Sequence, residues 1–409
     1  MKKLCLILFV LLLFDINFLP AKEIKPGVTI TPENYKEYLS ELNKLVPKPF
    51  LDFYFIPAFE KGLFKMSIVE TRKYPPYFGN AEWSKRNDGI CKLDSNGQLL
   101  NWKAGTPFPH PKTGRELAWD LNMSQWMEQG SYRPLRWMLF ENLFKKERYL
   151  DTDPIETWIW KGRTYTKPVP EIKPNPKHIW WKVLTPFTYP FDAKGFTVVR
   201  VRYMDPNAPL KDDDSWAYLP TLRRIRRFTG ADNQDPLFGS DINMDDYSIM
   251  AQRIDDRIME FKILGEKEVL VPARFDRKVE NIVDRGTGIV NLPGWEKKLC
   301  YVLEIKIKDP SYMYSKRLFY VSKDELINLC STPYMIRYDQ RGKVWRIQIP
   351  VFFNQRGNEK GNYENWVAGV TIDCQTKHAT VFEMINSANP DTSIKAQDFE
   401  LRSLIRRAR

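Results

Sequence analysis

The chain has 409 residues, a formal charge of +12 and 14 % aromatic residues. That length leaves ample material for one large core or two ordinary domains. The basic balance fits anionic lipid head groups, acidic polymers or an acidic protein partner, and equally plain solubility.

The first 21 residues have the form of an export signal. Lys2 and Lys3 give a positive start, Leu4 to Leu13 is apolar, and Leu19-Pro20-Ala21 ends in a small residue. We expect cleavage after Ala21 and a periplasmic location, which leaves nucleic acid a poor partner. The apolar run is too short for a membrane span. Four cysteines follow it, Cys91, Cys300, Cys330 and Cys374, and four cysteines allow three pairings. No C-x-x-C occurs.

Thr31, Pro32 and the spacing of Tyr35, Leu39, Leu42 and Leu45 predict a helix over 30–45, ended by Pro47 and Pro49. Between Phe50 and Ile179 the periodicity is weak, and we expect short strands, loops and a helix from Ser131 to Leu150. From Phe187 onward the pattern alternates. Val199, Val201 and Tyr203 oppose Arg200 and Arg202; Leu303, Ile305 and Ile307 oppose Glu304, Lys306 and Lys308. Met259 to Ile263, Leu318 to Val321, Met335 to Tyr338, Trp345 to Val351, Trp366 to Ile372 and Thr380 to Ile385 continue the series. Short turns favour an antiparallel sheet. Leu401, Leu404, Ile405 and Ala408 form the stripe of a basic amphipathic terminal helix. An apolar sheet face needs a cover, and the helix after Pro32 is the natural lid.

Catalytic patterns are absent. The three histidines, His110, His178 and His378, have no neighbours at metal-ligand spacing. No G-x-S-x-G elbow and no phosphate loop occur, so we assign no catalytic residue, cofactor or metal. Asp241-Ile-Asn243-Met-Asp245 imitates the start of a calcium loop, but Asp246 and Gln252 stand where Gly and Glu are needed. A more economical expectation pairs Arg223, Arg224, Arg226 and Arg227 with some of Asp232, Asp235, Asp241, Asp245 and Asp246. Trp216, Tyr218, Trp345 and Trp366 are candidates to line an apolar ligand cavity, although large aromatics are as a rule simply core.

The residues carry a family likeness. Gly105-Thr-Pro-Phe-Pro109, Trp216-x-Tyr218-x-Pro220-x-x-Arg223-Arg224-x-Arg226-Arg227, Tyr314-x-Lys316-Arg317-x-x-Tyr320 and Tyr338-Asp339-x-x-Gly342-x-x-Trp345 follow one another in order. The chain thereby resembles exported Gram-negative proteins grouped as domain of unknown function 1329, often labelled outer-membrane lipoprotein-sorting proteins. The likeness covers roughly the last three quarters. It implies a LolA/LolB-like fold: a strongly curved, incomplete antiparallel barrel with helices over its open side, mainly β, in which 22–104 joins the same domain as 105–409. It further implies a carrier or accessory protein that binds a lipid or lipoprotein acyl chain, with an envelope transporter or outer-membrane acceptor as partner and peripheral membrane contact. The competing expectations are a non-catalytic interaction subunit of an envelope complex and, less well supported, an atypical hydrolase.

Overall fold

The computed structural model describes residues 22–74, 79–123, 129–132, 135–228, 234–246, 253–274, 282–326, 331–356, 362–384, 389–390 and 393–408. For 129–132, 351–356, 362–367 and 389–390 it describes the backbone alone. The expected signal segment, Asp232 and Cys330 lie outside the described residues, as does the side chain of Trp366.

Two small pairs lie apart from the main sheet: β1 (Thr29–Ile30) with β2 (Met66–Ser67), and β3 (Lys92–Leu93) with β4 (Leu99–Leu100). The first half of the main sheet is β5 (Gln129–Tyr132), β6 (Leu135–Glu141), β7 (Lys145–Thr152), β8 (Ile155–Ile159), β9 (Ile179–Tyr189), β10 (Thr197–Tyr203), β11 (Asp214–Leu219) and β12 (Arg224–Phe228). The second half is β13 (Met259–Pro272), β14 (Trp295–Ile307), β15 (Lys316–Ser322), β16 (Tyr334–Tyr338), β17 (Val344–Arg356), β18 (Asn362–Asp373), β19 (Ala379–Met384) and β20 (Asn389–Pro390).

These sixteen strands are antiparallel, in the order β12-β11-β10-β9-β7-β6-β19-β18-β17-β16-β15-β14-β13. β5, β8 and β20 pair off that path. Consecutive strands therefore sit side by side almost everywhere, as short connections require. The exceptions are β5–β6, β7–β8, β12–β13 and β19–β20, and the third is decisive. β12 and β13 follow one another in the chain but occupy opposite edges, so the sheet is open and the chain between them must cross it.

The sheet is also rolled. At about 4.8 Å per strand, a flat sheet would hold β10 and β15 roughly 40 Å apart. Yet the Asp245 carboxylate interacts with both Arg200 on β10 and Arg317 on β15. Trp180 and Trp181 of β9 likewise share one apolar cluster with Leu303, Ile305 and Met335. The architecture is thus the mainly β, incomplete curved barrel that the sequence implied.

Both faces of the sheet are covered. On one face lie α1 (Leu39–Leu45), α2 (Lys48–Phe50), a π-helical turn (Leu51–Phe55) and α3 (Ile56–Glu60). Phe50 meets Tyr334 at 4.6 Å between ring centroids, and Phe55 meets Trp295 edge-on at 5.3 Å. Helix α4 (Asn80–Asn87) follows in the chain, and on the other face α5 (Gly114–Met123) lies against β13 so closely that a Cβ at Gly114 would fall 2.5 Å from the Lys262 amide nitrogen. β14 serves both covers. Glu296, Lys298 and Cys300 in its first half are buried on one parity, and Leu303, Ile305 and Ile307 in its second half on the other.

Two sequence expectations need correction. The N-terminal helix is shorter than 30–45: Ile30 pairs with Met66, and regular helix starts in a 3-10 turn at Tyr35–Tyr38. Its end is as expected: α1 stops at Leu45, and Val46 and Pro47 are extended. Pro49 ends no helix; Pro49 and Pro57 sit in the first turns of α2 and α3, where a missing N–H is harmless. Residues 131–150 contain no helix among those described; they carry β6 and β7, turning at Asn142 and Leu143 with positive φ. β6 is central, with Met138 and Phe140 buried on one face and Leu135, Trp137 and Leu139 on the other. A strand buried on both faces gives a continuous apolar run, which periodicity cannot separate from a helix.

The lid packing is a stability test. Phe55 is fully buried between Phe64 and Trp295. Phe55→Ala should destabilise the fold by about 3–5 kcal/mol in urea titration. Leu264→Ala, at a half-exposed position on β13, should change the midpoint little.

Candidate functional site

The segment joining β12 to β13 forms a strap across the rolled sheet, and its described part carries buried polar side chains, among them Asp241, Asn243, Asp245 and Asp246. Asp246 is fully buried. Its carboxylate is 2.8 Å from Arg337 of β16 and 3.1 Å from Arg346 of β17, and it accepts a 2.9 Å hydrogen bond from the Tyr314 hydroxyl. Arg337 also donates to the Asp246 carbonyl and to Gln348, both at 2.7 Å. Burial alone would raise the Asp246 carboxyl, but Arg337, Arg346 and Arg317 together hold it below its ordinary 3.8.

Asp245 lies next to it under different control. Its carboxylate accepts from the Tyr312 hydroxyl at 2.9 Å, and Arg317 donates to its carbonyl at 3.2 Å and to Tyr312. Here burial outweighs the arginines and the carboxyl is raised. Across the roll, Asp213 holds Arg200 at 2.7 Å and Arg202 at 2.9 Å, with all three side chains buried. At the strap's start Asp241 accepts from Thr380 at 2.8 Å and lies 2.7 Å from His378 Nδ1.

The expected pairing of these aspartates with the arginine strand is therefore corrected. Asp245 and Asp246 take Arg317, Arg337 and Arg346 instead. Arg223, Arg224, Arg226 and Arg227 are exposed on the edge strand, where Arg227 pairs with Asp214, and Asp235 is exposed. The reason is topological: the strap leaves the β12 edge and crosses to the middle of the sheet. Arg200, Arg202, Arg317, Arg337 and Arg346 carry no local signal of this role, because alternation with apolar residues shows which face a charge lies on and not whether that face is buried. The signal that the sequence offers is the family motif, which holds Tyr314 and Arg317 together.

Of the candidate aromatics whose side chains are described, Trp216 and Tyr218 share one cluster and Trp345 lies in another. Trp216 and Tyr218 pack with Val199, Phe399 and Leu404 beneath α6 (Leu401–Arg407). Trp345 belongs to a separate cluster, packs on Tyr314 at 5.6 Å and donates to Asp373 at 2.8 Å. Cys91, Cys300 and Cys374 are buried free thiols, and burial pushes the Cys91 and Cys374 thiols up to about 12. A surface cleft of about 570 Å³ is walled by Lys161, Glu171, Lys173, Pro174, Asn175, His178, Met204 and Pro206. Among the described residues no three His, Cys, Asp or Glu form a group able to hold a metal ion. The strap carboxylates of Asp241, Asp245 and Asp246 are occupied by hydrogen-bond donors and guanidinium groups.

The largest apolar seam is elsewhere, between α1–α3 and the sheet. Leu42, Leu51, Phe55 and Phe59 meet Val269, Trp295, Ile336 and Ile349 in one buried cluster. Among the described residues one side-chain hydrogen bond crosses from these helices to the body, from the Val290 amide to the Tyr54 hydroxyl at 3.3 Å.

An open, rolled antiparallel sheet with helices laid over it defines the class of protein. Residues 29–404 match the family described as "Protein of unknown function (DUF1329)", and the chain belongs to that family. It is 23 % identical over 339 residues to an uncharacterised protein of Pseudomonas aeruginosa, covering 80 % of this chain and 70 % of the relative. Two solved structures are similar. One, a putative outer membrane lipoprotein-sorting protein domain from Vibrio parahaemolyticus, has a TM-score of 0.48 at 16 % identity, covering 71 % of this chain and 97 % of that one. The other, a DUF1329 family protein from Desulfovibrio piger, has a TM-score of 0.46 at 18 % identity over the same shares.

Two tests follow from the strap. Asp246→Ala leaves buried guanidinium groups without their carboxylate and should cost about 3–5 kcal/mol of unfolding free energy. Asp246 also ties stability to acid. With its folded pKa below the unfolded 3.8, its contribution is complete above that value and lost as pH falls through the lower folded one. His378 works in the opposite sense. Its bond to Asp241, helped by Glu147, raises the imidazole above 6.5. Its contribution is therefore full below 6.5 and lost as pH rises through the raised value. His378→Asn should flatten that part of a urea-midpoint-against-pH curve; an unaltered slope would disprove the link.

Proposed function

We propose that the protein is a non-catalytic periplasmic carrier or accessory factor for a lipid or lipidated protein, with the acyl chain housed between helices α1–α3 and the sheet. The observation that carries this reading is the seam itself. It is apolar from both sides, and Tyr54 supplies its one crossing side-chain hydrogen bond among the described residues. Displacing the helices thus breaks few directional contacts.

The same aliphatic and aromatic surface that packs Phe50, Leu51 and Phe55 can pack a hydrocarbon chain. Each methylene so buried contributes about 0.8 kcal/mol. The helical cover is built for piecewise movement: it is divided at extended Pro47 and at the π-helical turn Leu51–Phe55. Such turns often sit at functional places in helices. Delivery then requires an acceptor at which the chain leaves the seam and the helices close again.

Native mass spectrometry of the purified protein, with solvent extraction of bound lipid, is the direct test. We expect a co-purifying acylated species, or uptake of a fluorescent fatty acid by the lipid-free protein. Uptake should weaken several-fold when Leu51 is replaced by the bulkier Trp, which fills the seam. A protein that carries no lipid and takes up none would overturn the reading.

A further inference from the structure

One end of the sheet carries apolar tips set among exposed cations. β9 turns into β10 through Pro190–Gly195, closed by the Ala193 amide donating to the Pro190 carbonyl at 3.0 Å. Phe191 stands at the apex of that turn and is 91 % exposed. β11 turns into β12 through the 3-10 turn Pro220–Leu222, and Leu222 at its tip is 54 % exposed.

The two turns are neighbours. Thr197 pairs with Tyr218 in register, and a Cβ on Gly195 would lie 3.5 Å from Pro220 Cγ and 2.8 Å from the Ala408 carbonyl at the end of α6. Gly195 holds φ 81°, so the close fit suits glycine alone. This end is therefore one joined surface.

Its charge is one-sided. Lys194, Arg223, Arg224 and Arg226 are exposed, and no ion pair to a carboxylate joins any of them among the described residues. Asp192 is the acidic residue on the same turn. A single exposed apolar residue needs no explanation. Two at adjacent turn apices, ringed by unpaired guanidinium and ammonium groups, match the chemistry of a lipid–water interface. Rings and aliphatic tips enter the acyl boundary, while arginine binds phosphate through paired N–H donors.

We propose that this end docks on an anionic phospholipid surface, with Phe191 and Leu222 entering the interface and Lys194, Arg223 and Arg224 meeting lipid phosphates. Docking here stands whether or not the seam takes an acyl chain.

Co-sedimentation with vesicles of equal parts phosphatidylglycerol and phosphatidylcholine tests it, against pure phosphatidylcholine vesicles. The protein should pellet with the anionic vesicles alone, and less as salt rises. Arg223→Glu with Arg224→Glu should weaken binding roughly tenfold or more, while lysine at both positions retains it. Phe191→Ser with Leu222→Ser should weaken it about tenfold with an unchanged thermal midpoint, since both side chains are exposed. A second reading comes from Phe191→Cys carrying an environment-sensitive fluorophore, with the parent chain taken through the same labelling as control. Its emission should shift to the blue on anionic vesicles. Absence of pelleting, equal pelleting with neutral vesicles, variants that bind like the parent, or an unshifted emission would each overturn the proposal. So would a protein cross-linked at this end by a chain that binds no vesicle.

Discussion

The fold depends on a buried ion cluster: Asp246 held between Arg337 and Arg346, with Tyr314 donating to the same carboxylate. A buried guanidinium or carboxylate without its partner is among the costliest defects a core can hold. The arginines project from neighbouring central strands, whereas the aspartate arrives on a strap from the sheet's edge. Neither element can bury its charge without the other. The cluster therefore fixes where the strap crosses, and with it the relation between the two edge strands.

That constraint explains the division of labour between the faces. The strap face is polar at its centre, with Arg200, Arg202, Arg317, Arg337 and Arg346 drawn in around aspartates and tyrosines. Directional bonds in such a region define one arrangement and resist repacking. The helix face is held by rings and aliphatic chains, which are tolerant of exchange for other hydrocarbon of similar volume. A rigid face beside an adaptable one is the division that the proposed carrier role requires. The sheet's outer end adds the exposed tips at Phe191 and Leu222, so the proposed cargo seam and the proposed docking surface lie on separate parts of one rolled sheet.

Much of the strand content was legible. Alternation marked β10, β14, β15 and β17 because apolar residues alternate there with polar or charged ones, even where the polar parity is buried too. It was misleading for β6, apolar and buried on both sides, and for Pro49, which opens a helix here. The candidate site was less legible. Arg223 to Arg227 and the following aspartates are close in sequence, and local proximity favoured pairing them. The actual partners are some seventy to a hundred residues away, because topology sends the strap inward. Trp216 and Trp345 stay apart for the same reason: Trp216 sits under α6 on β11, next to the edge strand, and Trp345 on central β17.

The sequence by itself determined that this chain forms a large antiparallel sheet with a helical cover. It also marked the chain as a member of its family, since strand periodicity and ordered motifs are local properties. Only the tertiary structure decided which charges are buried and with whom. That choice turns on which strands become edges, on a roll that brings β10 opposite β15, and on a strap that joins the two. Electrostatic partnership depends on distance in space, and spacing along the chain does not encode it.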